Sequence, residues 1–150
     1  MTAKPWSRPY STRRFDSLPT RKVLILCEDA KSAPYYFQGF PVPPNDVEIE
    51  YVDERLGEHI DYSIHRDLVV ITVETYTAKR SYEICAECRE HGLTTVLGGY
   101  HVMLLPQEAQ KYGDSIVVGF AEPLWEEMIS DAKKGSLKPL YVQDRTAKYP

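Results

Sequence analysis

Four short segments of this 150-residue chain set glycine, hydroxyl and carboxylate groups beside apolar runs. They are Cys27-Glu28-Asp29, Glu74-Thr75-Tyr76-Thr77, Gly98-Gly99-Tyr100-His101 and Gly119-Phe120-Ala121-Glu122. Gly98 and Gly99 permit unusual backbone angles and the close approach of a bulky ligand. Thr75 and Thr77 carry hydroxyls able to donate to an amide or a phosphate. Together these groups suit a polar, partly phosphorylated ligand. The same residues also suit a tight turn followed by threonine caps, so residue types alone leave both readings open.

Cys85 and Cys88 form a C-x-x-C pair, but the surrounding KRSYEICAECREHG reads as helix and holds no second ligand pair. A structural zinc site draws four ligands, usually from two such turns, so the expectation is that Cys85 packs inward beside Ala78 and Tyr82. Three cysteines, an odd number, do not suggest a disulfide framework.

Positioning these groups requires a scaffold, and the apolar pattern supplies one. Strands are expected at Lys22–Cys27, Val47–Val52, Asp67–Val73, Leu93–Leu97 and Ser115–Val118, with the β-branched run Val69, Val70, Ile71, Val73 as a central strand buried on both faces. Between them, Ala78, Tyr82 and Cys85 share one face of a helix over Ala78–His91, stopped by Gly92. Pro106 opens a short helix through Tyr112, and Leu124, Met128, Ile129 and Ala132 give a last helix its apolar stripe before Gly135. The first crossover helix must lie within Lys31–Phe40, because the prolines of PVPP at 41–44 cannot continue it. Right-handed crossovers turn this order into an α/β domain with a three-layer, doubly wound, parallel five-stranded sheet, Rossmann-like or flavodoxin-like. Such sheets bind ligands outside the carboxyl ends of their strands, where the four segments fall.

Hydrophobic residues at 43% and charged residues at 27% exclude wholesale disorder and a collagen-like chain. No apolar run of about 18 residues and no signal-peptide core is visible, which predicts a cytoplasmic protein without a membrane span. The net charge of −4 is uneven. Residues 1–22 hold six Lys/Arg against one acid, leaving twelve against twenty-one for the rest. The chain therefore divides into a basic flexible tail at 1–20, an α/β domain at 21–145 and a C-terminal tail or linker start at 146–150. The basic lead-in, with Arg8, Arg13, Arg14, Arg21 and Lys22 beside Trp6, Tyr10 and Phe15, could touch phosphate, whereas the acidic body argues against nucleic acid as the main ligand.

DLVVITVETYTAKRSYEI (67–84), TTVLGGYHVMLLPQEA (94–109), DSIVVGFAEPLWEEMI (114–129) and GSLKPLY (135–141) resemble, in order and spacing, the cobalamin-binding domain at the N-terminus of many radical S-adenosylmethionine enzymes. The resemblance runs from about Val47 to Tyr141. It implies that Thr75, Tyr76, Thr77, Gly98, Gly99 and His101 line the cleft for cobalamin's nucleotide tail and corrin edge. Gly119, Phe120 and Glu122 would form the neighbouring wall. His101 matches a histidine of the family's GG-x-H segment and is expected as a hydrogen-bonded group rather than a cobalt ligand. The DxHxxG motif of the cobalamin mutases is absent, which implies base-off binding without a protein histidine on cobalt. Phe120 stands where the family has glutamate and Pro123 where glycine is common; an aromatic can still pack against a corrin. The chain lacks the CxxxCxxC of radical enzymes, so the 4Fe-4S cluster and S-adenosylmethionine would belong to a partner domain, in cis or in trans. That partner would be a methyltransferase or cyclase type enzyme, and this chain, a fragment or a stand-alone relative of the accessory domain, would not be catalytic alone.

RKVLILCEDAKSAPYYFQGF (21–40) is similar to the opening of RloB-type Toprim proteins linked to phage defence. That similarity implies an alternative, a metal-dependent nuclease with Glu28 as acid/base or metal-linked carboxylate. Toprim sites also need a later Asp-x-Asp pair, and residues 67–73 and 114–118 offer none. A non-catalytic α/β interaction domain is the remaining alternative.

Overall fold

The computed structural model describes residues 21–26, 47–52 and 54–144. The elements in chain order are β1 (Arg21–Leu26), β2 (Val47–Val52), a 3-10 turn (Glu54–Leu56), β3 (Leu68–Thr72), α1 (Ala78–Glu90), β4 (Thr95–Gly98), α2 (Tyr100–Leu104), α3 (Pro106–Ala109), β5 (Ser115–Val118), a second 3-10 turn (Glu122–Leu124), α4 (Trp125–Lys133) and β6 (Leu140–Val142). All six strands lie parallel in one sheet, in the order β2-β1-β3-β4-β5-β6. The order reverses between β1 and β3, as in a flavodoxin-like sheet.

β3 is buried on both faces because its alternate residues feed two cores. Val69 and Ile71 join Ile84, Cys85 and Cys88 of α1, Val102 of α2 and Ala109 of α3. Leu68 and Val70 join Val96, Val117, Tyr141 and the α4 residues Trp125, Met128 and Ile129. Helices therefore cover both faces, and the expected doubly wound α/β architecture is present. Arg66 ties the edge to the centre. Its buried guanidinium donates in a fork to both carboxylate oxygens of Glu50 on β2, at 2.9 and 3.1 Å, and also to the Asp61 carbonyl. A buried cation without such partners would be strongly destabilising.

Two elements depart from expectation. The sheet has six strands rather than five, because Leu140–Val142 pairs with β5 through Ile116↔Leu140, Val117↔Tyr141 and Val118↔Val142. Three residues with only Tyr141 buried give too little apolar run to read in advance. Tyr100 and His101, expected in the loop after β4, open a one-turn helix over Tyr100–Leu104 directly behind Gly99. The C-terminal helix begins at Trp125, with Leu124 closing the 3-10 turn, and the helix opened by Pro106 ends at Ala109. The basic tail at 1–20, the Cys27-Glu28-Asp29 loop, the crossover within Lys31–Phe40 and the segment 146–150 lie outside the described residues. Among the described residues no helix is long and apolar enough to cross a membrane.

Candidate functional site

Gly98 and Gly99 stand at the carboxyl end of β4, and the ground on their two sides differs. On the α4 side lies a cleft of about 150 Å³. Val70, Val96 and Val117 from three adjacent strands form its floor, and Trp125 and Met128 of α4 form its wall. Gly98, Gly99, Gly119, Tyr100 and Phe120 make the rim. The lining is apolar because these strand residues alternate toward α4, whose Trp125 is fully buried. The rim keeps two aromatic rings in solvent, with Tyr100 65% and Phe120 51% exposed.

Backbone geometry fixes the rim. Gly99 has φ +102°, and a Cβ there would stand 2.7 Å from the Val73 carbonyl oxygen and 2.9 Å from its nitrogen. The chain needs that approach, because the His101 amide donates to the same carbonyl at 3.1 Å and so pins α2 to the end of β3. Gly119 has φ +109° and lies under the Gln143 side chain. Gln143 accepts from the Phe120 amide at 2.8 Å, while its own amide donates to the Val118 carbonyl at 2.9 Å. The end of β6 thus holds Phe120 at the cleft mouth.

On the α1 side the space is filled by polar contacts. His101 is 5% exposed. Its Nδ1 lies 3.3 Å from Thr75 Oγ1 and its Nε2 3.2 Å from Glu108 Oε1. The Tyr82 hydroxyl donates to the same Glu108 oxygen at 3.0 Å, and the Tyr82 ring stacks on Tyr112 with centroids 4.0 Å apart. His101, and after it Tyr82, hold the Glu108 carboxyl below the usual carboxylate range. Burial, and after it Glu108, pushes the Tyr82 phenol up. Thr77 Oγ1 accepts from the Glu74 amide and donates to the Glu74 carbonyl, both at 3.1 Å, closing the turn before α1.

Of the residues singled out from sequence, the fold therefore gathers Gly98, Gly99, Gly119 and Phe120 around the cleft. It places Thr75, Tyr76, Thr77 and His101 beside it on the α1 side, where Tyr76 is exposed. Glu122 opens the second 3-10 turn, half-buried, with Oε2 shielded and without a hydrogen bond among the described residues. Tyr100 belongs to the Gly98–His101 segment already singled out; Trp125, Met128 and Gln143 were not anticipated. Their only signal was the position of α4 and of residues after Val118 relative to the strand ends, which requires the topology first.

The C-x-x-C pair is internal to α1. Burial pushes the Cys85 thiol up to about 12 and the Cys88 thiol to about 11. Both belong to the core between α1 and the sheet, together with Ala78, as the helical reading expected; Tyr82 packs against its edge. Among the described residues no cluster of three His, Cys, Asp or Glu could hold a metal ion.

The chain is homologous to two curated methyltransferases of Chlorobaculum tepidum. It is 38% identical over 118 residues to bacteriochlorophyllide d C-8(2)-methyltransferase, a stretch covering 76% of this chain and 26% of that protein. It is 34% identical over 96 residues to bacteriochlorophyllide d C-12(1)-methyltransferase, covering 63% of this chain and 21% of that protein. The chain thus spans about a quarter of the length of these relatives. No protein-family model matches. Among solved structures, the N-terminal domain of a hypothetical protein of Thermotoga maritima aligns with a TM-score of 0.45 at 15% identity, covering 75% of this chain and 86% of that one. Homology to methyltransferases does not favour the nuclease alternative, whose Glu28 lies outside the described residues.

Proposed function

We propose that residues 21–145 form a cobalamin-binding module that serves a radical S-adenosylmethionine enzyme, holding the cofactor base-off at the carboxyl ends of the strands. The observation that carries this reading is the apolar cleft between β3, β4, β5 and α4. An apolar cavity of about 150 Å³ accepts an aromatic ring, so an open cleft of that size fits the flat base of the nucleotide tail. Gly98, Gly99 and Gly119 remove side chains from the approach, and Tyr100 and Phe120 offer aromatic surface to a corrin edge. Both ring nitrogens of His101 are engaged away from the cleft, which suits binding without a protein histidine on cobalt.

Bound cobalamin would supply a corrin-held cobalt for alkyl transfer. The chain's own residues bind the tail, exclude water from it and orient the ring. The cluster and S-adenosylmethionine belong to the partner domain, and the relatives point to methyl transfer as that partner's reaction, with a bacteriochlorophyllide as the acceptor.

A visible-absorbance titration with hydroxocobalamin, followed by gel filtration, tests the reading. A spectral change with co-elution is expected. An unchanged spectrum with all cobalamin in the small-molecule fraction overturns it.

A further inference from the structure

The side of the glycine pair opposite the cleft carries a chain of four polar groups whose protons can be assigned. The Tyr82 hydroxyl donates to Glu108 Oε1, and the same oxygen lies 3.2 Å from His101 Nε2. A carboxylate only accepts, so Nε2 must carry the hydrogen. In the neutral ring Nδ1 is then a bare acceptor, buried with the rest of His101, and the group within reach is the Thr75 hydroxyl at 3.3 Å. A buried acceptor left without a donor costs more than an exposed hydroxyl loses by turning away from water, so the Thr75 proton points inward. Thr77 gives its own proton to the Glu74 carbonyl. Both threonine hydroxyl protons of the loop are therefore spent on the protein.

Resting on the cobalamin reading above, we infer that Glu108 and His101 are positioning residues that fix Thr75 as a hydrogen-bond acceptor, so that Thr75 selects an N–H donor such as a carboxamide of the corrin periphery over a carboxylate or phosphate. Thr75 is exposed, a hydroxyl that has given its proton still has acceptor capacity, and the His101 amide bond to Val73 holds this loop beside Gly98-Gly99. A histidine's tautomer is set by what its other nitrogen meets, and here a carboxylate sets it.

Two measurements test this. In apo protein labelled with ¹⁵N, long-range proton–nitrogen correlation at about pH 8, above the ordinary histidine range, reports which His101 nitrogen carries hydrogen. Nε2–H with bare Nδ1 is expected, and Glu108→Gln should mix the tautomers because its amide can donate or accept. Hydrogen on Nδ1 in the wild type overturns the assignment, whatever happens with cobalamin. The second measurement is hydroxocobalamin affinity. Thr75→Val is expected to weaken it roughly five- to tenfold, Thr75→Ser to restore it, and Glu108→Gln to weaken it about twofold. Unchanged affinity in Thr75→Val, with wild-type binding intact, overturns the selective contact and leaves the cobalamin reading standing. A wild type that binds no hydroxocobalamin overturns that reading and the contact with it, while the tautomer still decides the polarity of Thr75.

Discussion

The two flanks of Gly98-Gly99 begin from the same strand end and finish differently. On the α1 flank, Tyr82, Glu108, His101 and Thr75 fill the space with directed hydrogen bonds, and Thr77 closes on its own turn. On the α4 flank, Val70, Val96, Val117, Trp125 and Met128 line an apolar cleft. The divider is largely backbone: Gly99 lies against the main chain of Val73. Polar networks fix the geometry and polarity of the groups they present, whereas an apolar concavity with an aromatic rim keeps surface available for a guest. One glycine pair thus serves a rigid side and a receptive side.

Four changes act on this contrast, in descending order of effect. Trp125→Ala removes the largest buried side chain of the α4 flank and should destabilise the fold by about 3–5 kcal/mol, read as a lower urea midpoint. Gly99→Ala strikes the divider itself. Its Cβ would collide with the Val73 backbone at a φ reserved for glycine, for an expected loss of about 3 kcal/mol that disturbs both flanks. Gly98→Val separates binding from stability. The added Cβ would meet only Val117 Cβ, at 3.9 Å, so the unfolding free energy should stay within about 0.5 kcal/mol of wild type. The valine would occupy the cleft mouth, and hydroxocobalamin affinity should fall about tenfold, or about 1.4 kcal/mol. Unchanged affinity would move the tail out of the cleft.

The smallest effect belongs to the α1 flank and depends on pH. His101 and Tyr82 hold the Glu108 carboxyl below its ordinary value of 4.5, so its contribution is complete above that pH and is lost as pH falls through the lowered value. Glu108→Gln should flatten that part of the acid unfolding profile and leave the neutral range unaltered in slope. An identical acid profile would show that the carboxylate is not held by the network.

Part of the molecule could be read directly. Ser115–Val118 has the same limits in sequence and structure, and the β-branched run at Val69–Val73 gave the central strand, because continuous apolar runs bounded by polar turns are what a doubly covered parallel strand requires. The helix from Ala78 followed from local periodicity. β6 escaped because a three-residue edge strand with one buried side chain has no periodic signal. The site was legible as loops and not as surfaces. Gly98, Gly99, Gly119 and Phe120 were found by their place after strands, while Trp125 and Met128 reach the same cleft from a helix later in the chain.

By itself, then, the sequence determined the class of fold, the strands that carry it and the glycines at their carboxyl ends, since those depend on local pattern and backbone freedom. Tertiary structure alone decided that His101 turns to Thr75 and Glu108 rather than to the cleft, and that α4 walls the opposite side. Those outcomes depend on which sheet face each helix covers and on contacts between residues distant in the chain, such as Thr75 with His101 and Gly119 with Gln143. Neither is encoded in any single segment.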